Sequence, residues 1–564
     1  MKRPVPLAHA RPLVLTSARI ELFALLLFAL VLLGTGLGLR DPWPSDEPRF
    51  VLAARSMIEH GQWLFPHRGH ELYPDKPPLF MWLEALFFLL TRSWRVAFLL
   101  PSLLAGLACV AAVYDLGRRL WNHRSGLLGA AAMLFTVHFA YQFRNAQIDP
   151  LLVAFVTLAN YGLLRNLLLG PAWRWMAAGC LFAGLGVITK GVGFLALLML
   201  LPYALARRQG WRHLARPQGT ARWAASLALF LLPILGWLLP MAWTALHEGD
   251  AAHLAYLRNI LFGQTVERYA APSGHLQPPW YFLGIIATDW LPLSLALPWA
   301  LPAWWRRLKR RDARFLLPLG WVLWVLVFFS LSPGKRDVYI LPALPMTALA
   351  LAPLLPGLLR RAGPLRALFG LTLGLSLLLG ALALLGRGAH PPRALARLTE
   401  GLDPHLWTLL LAMAALGLVL AGIFRVRRAA AGWALFLTGV FVLYGLVGYP
   451  MLNRERSALG VMQRARALAG PGVSLGLVAW KEQNLLMAKG PVTEFGFLRP
   501  WPQQFAAGAK WLRADPAGRR LFVQEPAMGD CVRRDRAVFV GRANRRDWWL
   551  VPAAALVSGC GPDG

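Results

Sequence analysis

The sequence predicts an all-α polytopic membrane protein of about thirteen transmembrane helices, followed by a small α/β domain. Three observations predict it. Apolar residues make up 57% of the 564 and charged residues only 15%, a balance unlike that of a soluble globular chain. Long stretches with almost no charge, such as 22–39, 223–245 and 367–385, reach the roughly 20 residues that a helix needs to cross a bilayer. Beyond Pro450, charged and turn residues recur throughout, the mark of a region built to lie in water.

The spans follow in order. Span 1 is 20–39. It is too long for the apolar part of a cleavable signal and no small-residue cleavage site follows it, so it is expected to stay as an anchor. The loop 40–95 comes next, and its segments 48–60 and 79–91 read as helices lying at the membrane interface. Spans 2 to 6 are expected at 96–117, 125–141, 150–168, 174–189 and 191–206. Spans 7 to 13 are expected at 223–245, 280–304, 315–331, 338–358, 367–386, 406–424 and 432–450. With Lys2, Arg3, Arg11 and Arg19 inside, the clusters Arg118-Arg119, Arg207-Arg208, Arg306-Arg307 with Lys309-Arg310-Arg311, Arg360-Arg361 and Arg427-Arg428 all fall on the cytoplasmic side. Counting 79–91 as a full span would put these clusters outside, so the charge rule selects thirteen. Two domains result, 1–450 in the membrane and 451–564 outside it. In the second, Gly472–Trp480 and Leu521–Gln524 read as strands and Gln503–Arg513 as a helix.

The same rule disposes of the formal net charge of +32. A nucleic-acid partner is excluded, because the Arg residues sit in short clusters between apolar runs. Four cysteines do not make a disulfide scaffold, although Cys531 and Cys560 could pair if the C-terminal domain is periplasmic.

The polar residues of the outer face carry the chemistry. Asp46 and Glu47 follow a Pro-containing turn, and Asp149 precedes Pro150 at the start of a span. Each Asp has a bland reading as a helix cap or helix start; a carboxylate at the bilayer rim is also a candidate acid, base or metal ligand. Lys76 before Pro77-Pro78, Lys190 between two apolar runs, Arg268, and Lys335-Arg336 ahead of Tyr339 all lie on the outer side, where the charge rule expects few cations. Gathered there, with Arg49 beside the acids, they favour an anion, and phosphate is the natural one. The histidines His60, His67, His70 and His275 show no spacing that demands zinc. Asp75 and His275 are the nearest to candidate ligands for a divalent metal, and no cofactor is implied. No nucleotide-binding loop or nucleophile elbow is present.

These residues resemble those of the membrane glycosyltransferases of the C-type fold. More narrowly, the chain is similar to the bacterial aminoarabinose (4-amino-4-deoxy-L-arabinose) transferases that modify lipid A, relatives of the protein O-mannosyltransferases. The resemblance rests on Asp46-Glu47-x-Arg49, Asp75-Lys76-Pro77-Pro78 with Trp82, Asp149-Pro150, Thr189-Lys190-Gly191 and Lys335-Arg336-x-x-Tyr339-x-x-Pro342, in order over residues 15–450. It implies thirteen spans, a periplasmic C-terminal α/β domain and an undecaprenyl-phosphate-linked sugar as donor. It also implies Asp46 as the main catalytic carboxylate, Asp149 as a second acid, and Lys76, Arg268 and Tyr339 gripping the donor phosphate. Glu47 counts with the catalytic acids, and Arg49, Lys190, Lys335 and Arg336 with the phosphate-binding set. One departure is Phe50, where many relatives have Tyr.

The expected activity is transfer of aminoarabinose from undecaprenyl phosphate to lipid A phosphate at the periplasmic face of the inner membrane, by a monomer. Two alternatives stand beside it: transfer of another lipid-linked sugar to a different envelope glycan or protein, and transport of a lipid or sugar. A transporter should hold ionisable groups near mid-bilayer between repeated halves, whereas here they gather at the rim and no repeat is visible.

Overall fold

The computed structural model describes residues 17–267, 274–388, 391–399 and 403–557. Arg268 and Cys560 lie outside the described residues, as do Lys2, Arg3 and Arg11. The chain is predominantly helical, and among the described residues seven helices are long and apolar enough to cross a membrane, or eight if the bent pair Tyr281–Thr288 and Leu293–Lys309 forms one span. The chain is thus a multi-pass helical membrane protein. Several other expected spans are shorter or interrupted. The segment expected at 125–141 divides into His123–Leu134 and Val137–Gln142, and the one expected at 338–358 into Asp337–Ile340, Ala343–Leu351 and Leu355–Leu358. Proline and glycine account for much of this, since Pro342, Pro345, Pro353 and Pro356 crowd the second of these segments.

The helices differ in what they face. In Ile148–Leu168 the most apolar stretch is 83% buried, so this helix is central. In Thr220–His247 and Ala362–Arg387 the figure is 17%, and Leu231, Leu232, Leu235, Leu239, Leu377, Leu378, Leu384 and Leu385 point outward. An outward row of leucines is what lipid contact requires. The central helix meets Trp173–Lys190 through small residues: a Cβ on Gly162 would collide with the Trp175 carbonyl and with Gly179. Glycine is needed there because the two backbones touch, the common device for close packing of helices in lipid.

Helix α1 (Ser17–Gly34) leads to the first loop. Helices α2 (Glu47–His60) and α3 (Leu79–Thr91) flank a two-stranded hairpin, β1 (His67–Arg68) with β2 (Glu71–Leu72). Pro48 sits in the first turn of α2, and Gly61 ends it in the left-handed region at φ 72°. Phe50, Val51, Ala54 and Met57 on α2 pack against Tyr73, Phe80, Met81 and Ala85.

The C-terminal region forms a five-stranded mixed sheet, in the order β4 (Val492–Glu494), β3 (Ser474–Val478), β5 (Arg519–Gln524), β7 (Arg546–Val551), β6 (Val538–Ala543). The first three strands run parallel, and β7 is antiparallel to both of its neighbours, β5 and β6. Alternation gives the sheet two apolar faces. Leu475, Leu477, Phe522 and Leu550 pack under the helix Leu459–Ala469, while Val478, Leu521, Val523 and Val551 pack under Trp501–Ala514. This unit docks on the first loop: Leu52 of α2 enters its core, and Glu494 accepts from the His70 backbone (3.0 Å) and contacts its ring. Glu71 accepts from the Leu498 backbone at 2.9 Å.

Candidate functional site

Asp46 occupies the cap position of α2, yet its side chain makes no capping hydrogen bond. The bland reading of this residue therefore does not describe its carboxylate. One oxygen lies 3.5 Å from the Arg49 guanidinium and the other 3.8 Å from that of Arg336. Asp46 stays partly accessible, with 19% of its side chain exposed.

The adjacent Glu47 is turned the other way. It is buried, and both oxygens are taken: Arg40 grips them as a fork (2.7 Å to Oε1), the Trp43 backbone donates at 2.8 Å and the Ala146 backbone at 2.9 Å. The guanidinium of Arg40 stacks on Trp43, Phe98 and Tyr449 at about 5 Å. Glu47 was expected among the catalytic acids. With both oxygens engaged, it instead ties the segment between α1 and α2 and the segment before Asp149 to the start of α2. Arg144 continues the same network, donating to the Leu32 and Thr35 carbonyls. Asp41 joins it from the other side, accepting from Arg95 (2.7 and 2.9 Å) and Asn453 (2.7 Å).

The second half of the site is built on helix ends. Asp149 lies buried in the first turn of Ile148–Leu168, and Lys190 is the last residue of Trp173–Lys190, which Gly191 stops at φ 81°. Their side chains form an ion pair, and the Lys190 ammonium also sits 4.8 Å from the centre of the Tyr339 ring. Tyr339 belongs to the short 3₁₀ turn Asp337–Ile340, and Arg336 is the residue just before it. One turn thus reaches both carboxylates: Arg336 touches Asp46, and Tyr339 covers the lysine that holds Asp149.

The remaining candidates divide. The Lys335 ammonium is buried and donates to the Ser332 and Gln277 carbonyls (2.6 and 3.0 Å), while its backbone N–H donates to His275 (2.9 Å). It fixes the turn instead of facing an open space. Lys76 is half-buried between β2 and α3. Asp75 and the exposed His275 join no three-ligand group among the described residues.

Four contributors were not read from the sequence. Arg40 anchors Glu47. Tyr73 lies buried beneath Arg49 and Arg68, which stand 5.8 and 5.6 Å from its ring; burial holds its phenol above the ordinary value, so it stays neutral near pH 7. Glu482, from the C-terminal unit, accepts from Arg49 Nε at 2.8 Å and lies 3.5 Å from Arg68. Only Tyr73, inside the motif Tyr73-Pro74-Asp75-Lys76, carried a local signal.

Comparison with known proteins now has a geometry to refer to. A family profile described as dolichyl-phosphate-mannose-protein mannosyltransferase matches residues 75–237. The undecaprenyl phosphate-alpha-4-amino-4-deoxy-L-arabinose arabinosyl transferase 1 of Pseudomonas fluorescens is 31% identical over 427 residues, 73% of this chain and 72% of the relative. The corresponding transferase of Pectobacterium carotovorum is 31% identical over 349 residues, 59% of this chain and 58% of the relative. The chain spans about three-fifths of the length of several such relatives, 61% for that of Pseudomonas aeruginosa PAO1. Among solved structures, ArnT from Cupriavidus metallidurans bound to undecaprenyl phosphate superposes with a TM-score of 0.74 at 19% identity, over 97% of this chain and 99% of that one. This likeness shows a shared fold. The identity sustained over nearly three-quarters of the Pseudomonas fluorescens protein shows more: the chain belongs to the undecaprenyl phosphate-alpha-4-amino-4-deoxy-L-arabinose arabinosyl transferase family.

Proposed function

We propose that the chain transfers 4-amino-4-deoxy-L-arabinose from undecaprenyl phosphate to a phosphate of lipid A. The observation that carries this reading is the turn at 336–339, whose Arg336 and Tyr339 bring the accessible Asp46 and the Asp149–Lys190 pair to one place. The relatives' names, which specify an undecaprenyl phosphate-linked aminoarabinose, support the donor. In the reaction an acceptor oxygen attacks the anomeric carbon and the bond to the donor phosphate breaks. The polyprenyl phosphate leaves as a dianion. Arg49, Arg336, Lys190 and Lys76 are the cations held ready for that charge, and preorganised cations in a water-poor site lower such a barrier. Arg268 would join them.

The acceptor decides what Asp46 does. A phosphate has a second pKa of about 6 and is mostly ionised near neutral pH, so no base is required. Held between two guanidiniums, Asp46 then orients the acceptor or stabilises a sugar that becomes cationic as its bond to phosphate stretches. With an acceptor hydroxyl it would serve as general base.

The reading includes thirteen spans, an active site and C-terminal domain on the periplasmic side of the inner membrane, and a monomer. Outward cations against inward Arg clusters support the orientation. So does Cys531, which is disulfide-bonded, since such bonds persist in oxidising compartments.

Asp46→Asn is expected to abolish transfer to lipid A, read by mass spectrometry with defined polyprenyl-phosphate donors, while the protein still inserts and still binds undecaprenyl phosphate. Near-wild-type turnover in this variant would overturn the assignment.

A further inference from the structure

His138, Asp289 and Asp337 bring one imidazole nitrogen and two carboxylate oxygens within 4.8 Å of one another. Two features separate this group from an ordinary surface cluster of acids. His138 is only 3% exposed, and neither ring nitrogen has a hydrogen-bond partner among the described residues. A buried, unpartnered imidazole is costly unless something not yet named completes it. Its Nε2 is directed at Asp337, 3.8 Å from Oδ2.

The backbone holds the three together. The N–H groups of Val137 and His138 donate to the Leu291 and Asp289 carbonyls at 2.8 and 3.0 Å, clamping the helix Val137–Gln142 against the end of Tyr281–Thr288. The Thr288 hydroxyl donates to Asp289 Oδ1 at 2.8 Å, which fixes one carboxylate from behind. Supporting hydrogen bonds of this kind orient metal ligands. Asp337 opens the turn that carries Tyr339 and follows Arg336.

We propose that His138, Asp289 and Asp337 form a binding site for a divalent transition-metal ion of the zinc or manganese class, distinct from Asp75 and His275. The donor set selects the metal: imidazole nitrogen with carboxylate oxygen suits zinc and manganese, while magnesium and calcium prefer oxygen alone. A +2 ion also balances two carboxylates that otherwise repel each other across a buried ring. Bonds of about 2.0–2.2 Å in a tetrahedral arrangement separate the donors by roughly 3.4 Å, so binding draws the side chains in by about 1 Å. Three protein donors leave one position for water. The ion would brace the turn at 336–339 through Asp337, its first helical residue.

The test uses tag-free full-length protein in detergent, stripped with EDTA, returned to chelator-free buffer and titrated with zinc chloride or manganese chloride by calorimetry. Elemental analysis follows gel filtration. Wild type is expected to retain one ion per chain, and cobalt substitution should give the d–d absorbance of a site with imidazole ligation. His138→Gln and the more exposed Asp337→Asn should each weaken binding at least about tenfold, whereas His275→Gln should not change it. The second variant keeps the test sharp if the first does not fold. The proposal is overturned if wild type retains no ion, if Asp337→Asn binds as wild type does, or if the ion is lost with His275→Gln instead.

Discussion

Asp46 and Glu47 are neighbours of the same chemistry with opposite fates, and the cause is a single residue seven positions earlier. Arg40 closes the apolar run of the first span, where a cation reads as a flank of the helix. Buried against three aromatic rings, it needs a counter-ion, and Glu47 is the acid that points inward. Removing either partner of such a pair leaves a buried charge and costs about 3–5 kcal/mol. A third acid nearby behaves differently. Glu84 of α3 is fully buried with neither oxygen hydrogen-bonded, and burial, with Glu47 adding repulsion, holds its carboxyl well above the usual carboxylate range. It is therefore protonated in the folded protein and ionised in the unfolded chain above about pH 4.3. The folded state binds the extra proton, so stability falls as pH rises above that value. Glu84→Gln should remove this slope: between pH 5 and pH 8 wild type should lose melting temperature in detergent relative to the variant. Parallel curves would show that Glu84 ionises in place.

At the scale of elements, the short turn Asp337–Ile340 does more than any long helix. Its position depends on Lys335, whose ammonium spans the Ser332 and Gln277 carbonyls. Each hydrogen bond from a charged donor is worth about 1.5–3 kcal/mol. Lys335→Met should therefore lower thermal stability clearly while leaving the salt dependence of polyprenyl-phosphate binding unchanged; a phosphate ligand would give the reverse. Lys335 precedes Arg336 in the sequence, but its ammonium turns to the Ser332 and Gln277 carbonyls. A four-carbon stem can send the charge to either side of the backbone, and nothing in Gly334-Lys335-Arg336 says which. The helices of the first loop were easier. Pro48, the acidic start and Gly61 mark α2, and an apolar stretch too short to span marks α3. Long runs with almost no charge, such as Thr220–His247, were equally plain. The segments at 125–141 and 338–358 were not, because hydropathy averages over a window and does not register a break of two residues within it.

For the whole molecule, the informative contacts cross from one end of the chain to the other. Glu482 meets Arg49 although 433 residues separate them, and no motif around Lys481-Glu482-Gln483 announces it. Such pairings are invisible in sequence because they depend on how the sheet docks and not on local pattern. Glu482→Gln should weaken that docking. Hydrogen exchange across 67–73 should rise, and the Michaelis constant for the lipid donor should rise more than turnover falls, since Arg49 keeps Asp46 but loses its second anchor. Unchanged exchange would mean that the apolar contact through Leu52 and the hydrogen bonds of Glu494 and Glu71 hold the unit without it.

The way the sheet unit is attached sets a rule for anyone who would exchange it between relatives. The last long helical run continues past Pro450 to Arg456, so a junction at 450 would cut through a helix and separate Asn453 from Asp41. A graft placed after Ser457 preserves that helix. It must still supply an acid in the place of Glu482, or the recipient's buried Arg68 loses that counter-charge and Arg49 is left with Asp46 alone. Chimeras at this seam are therefore a matter of matching two charges across it as much as of choosing the cut.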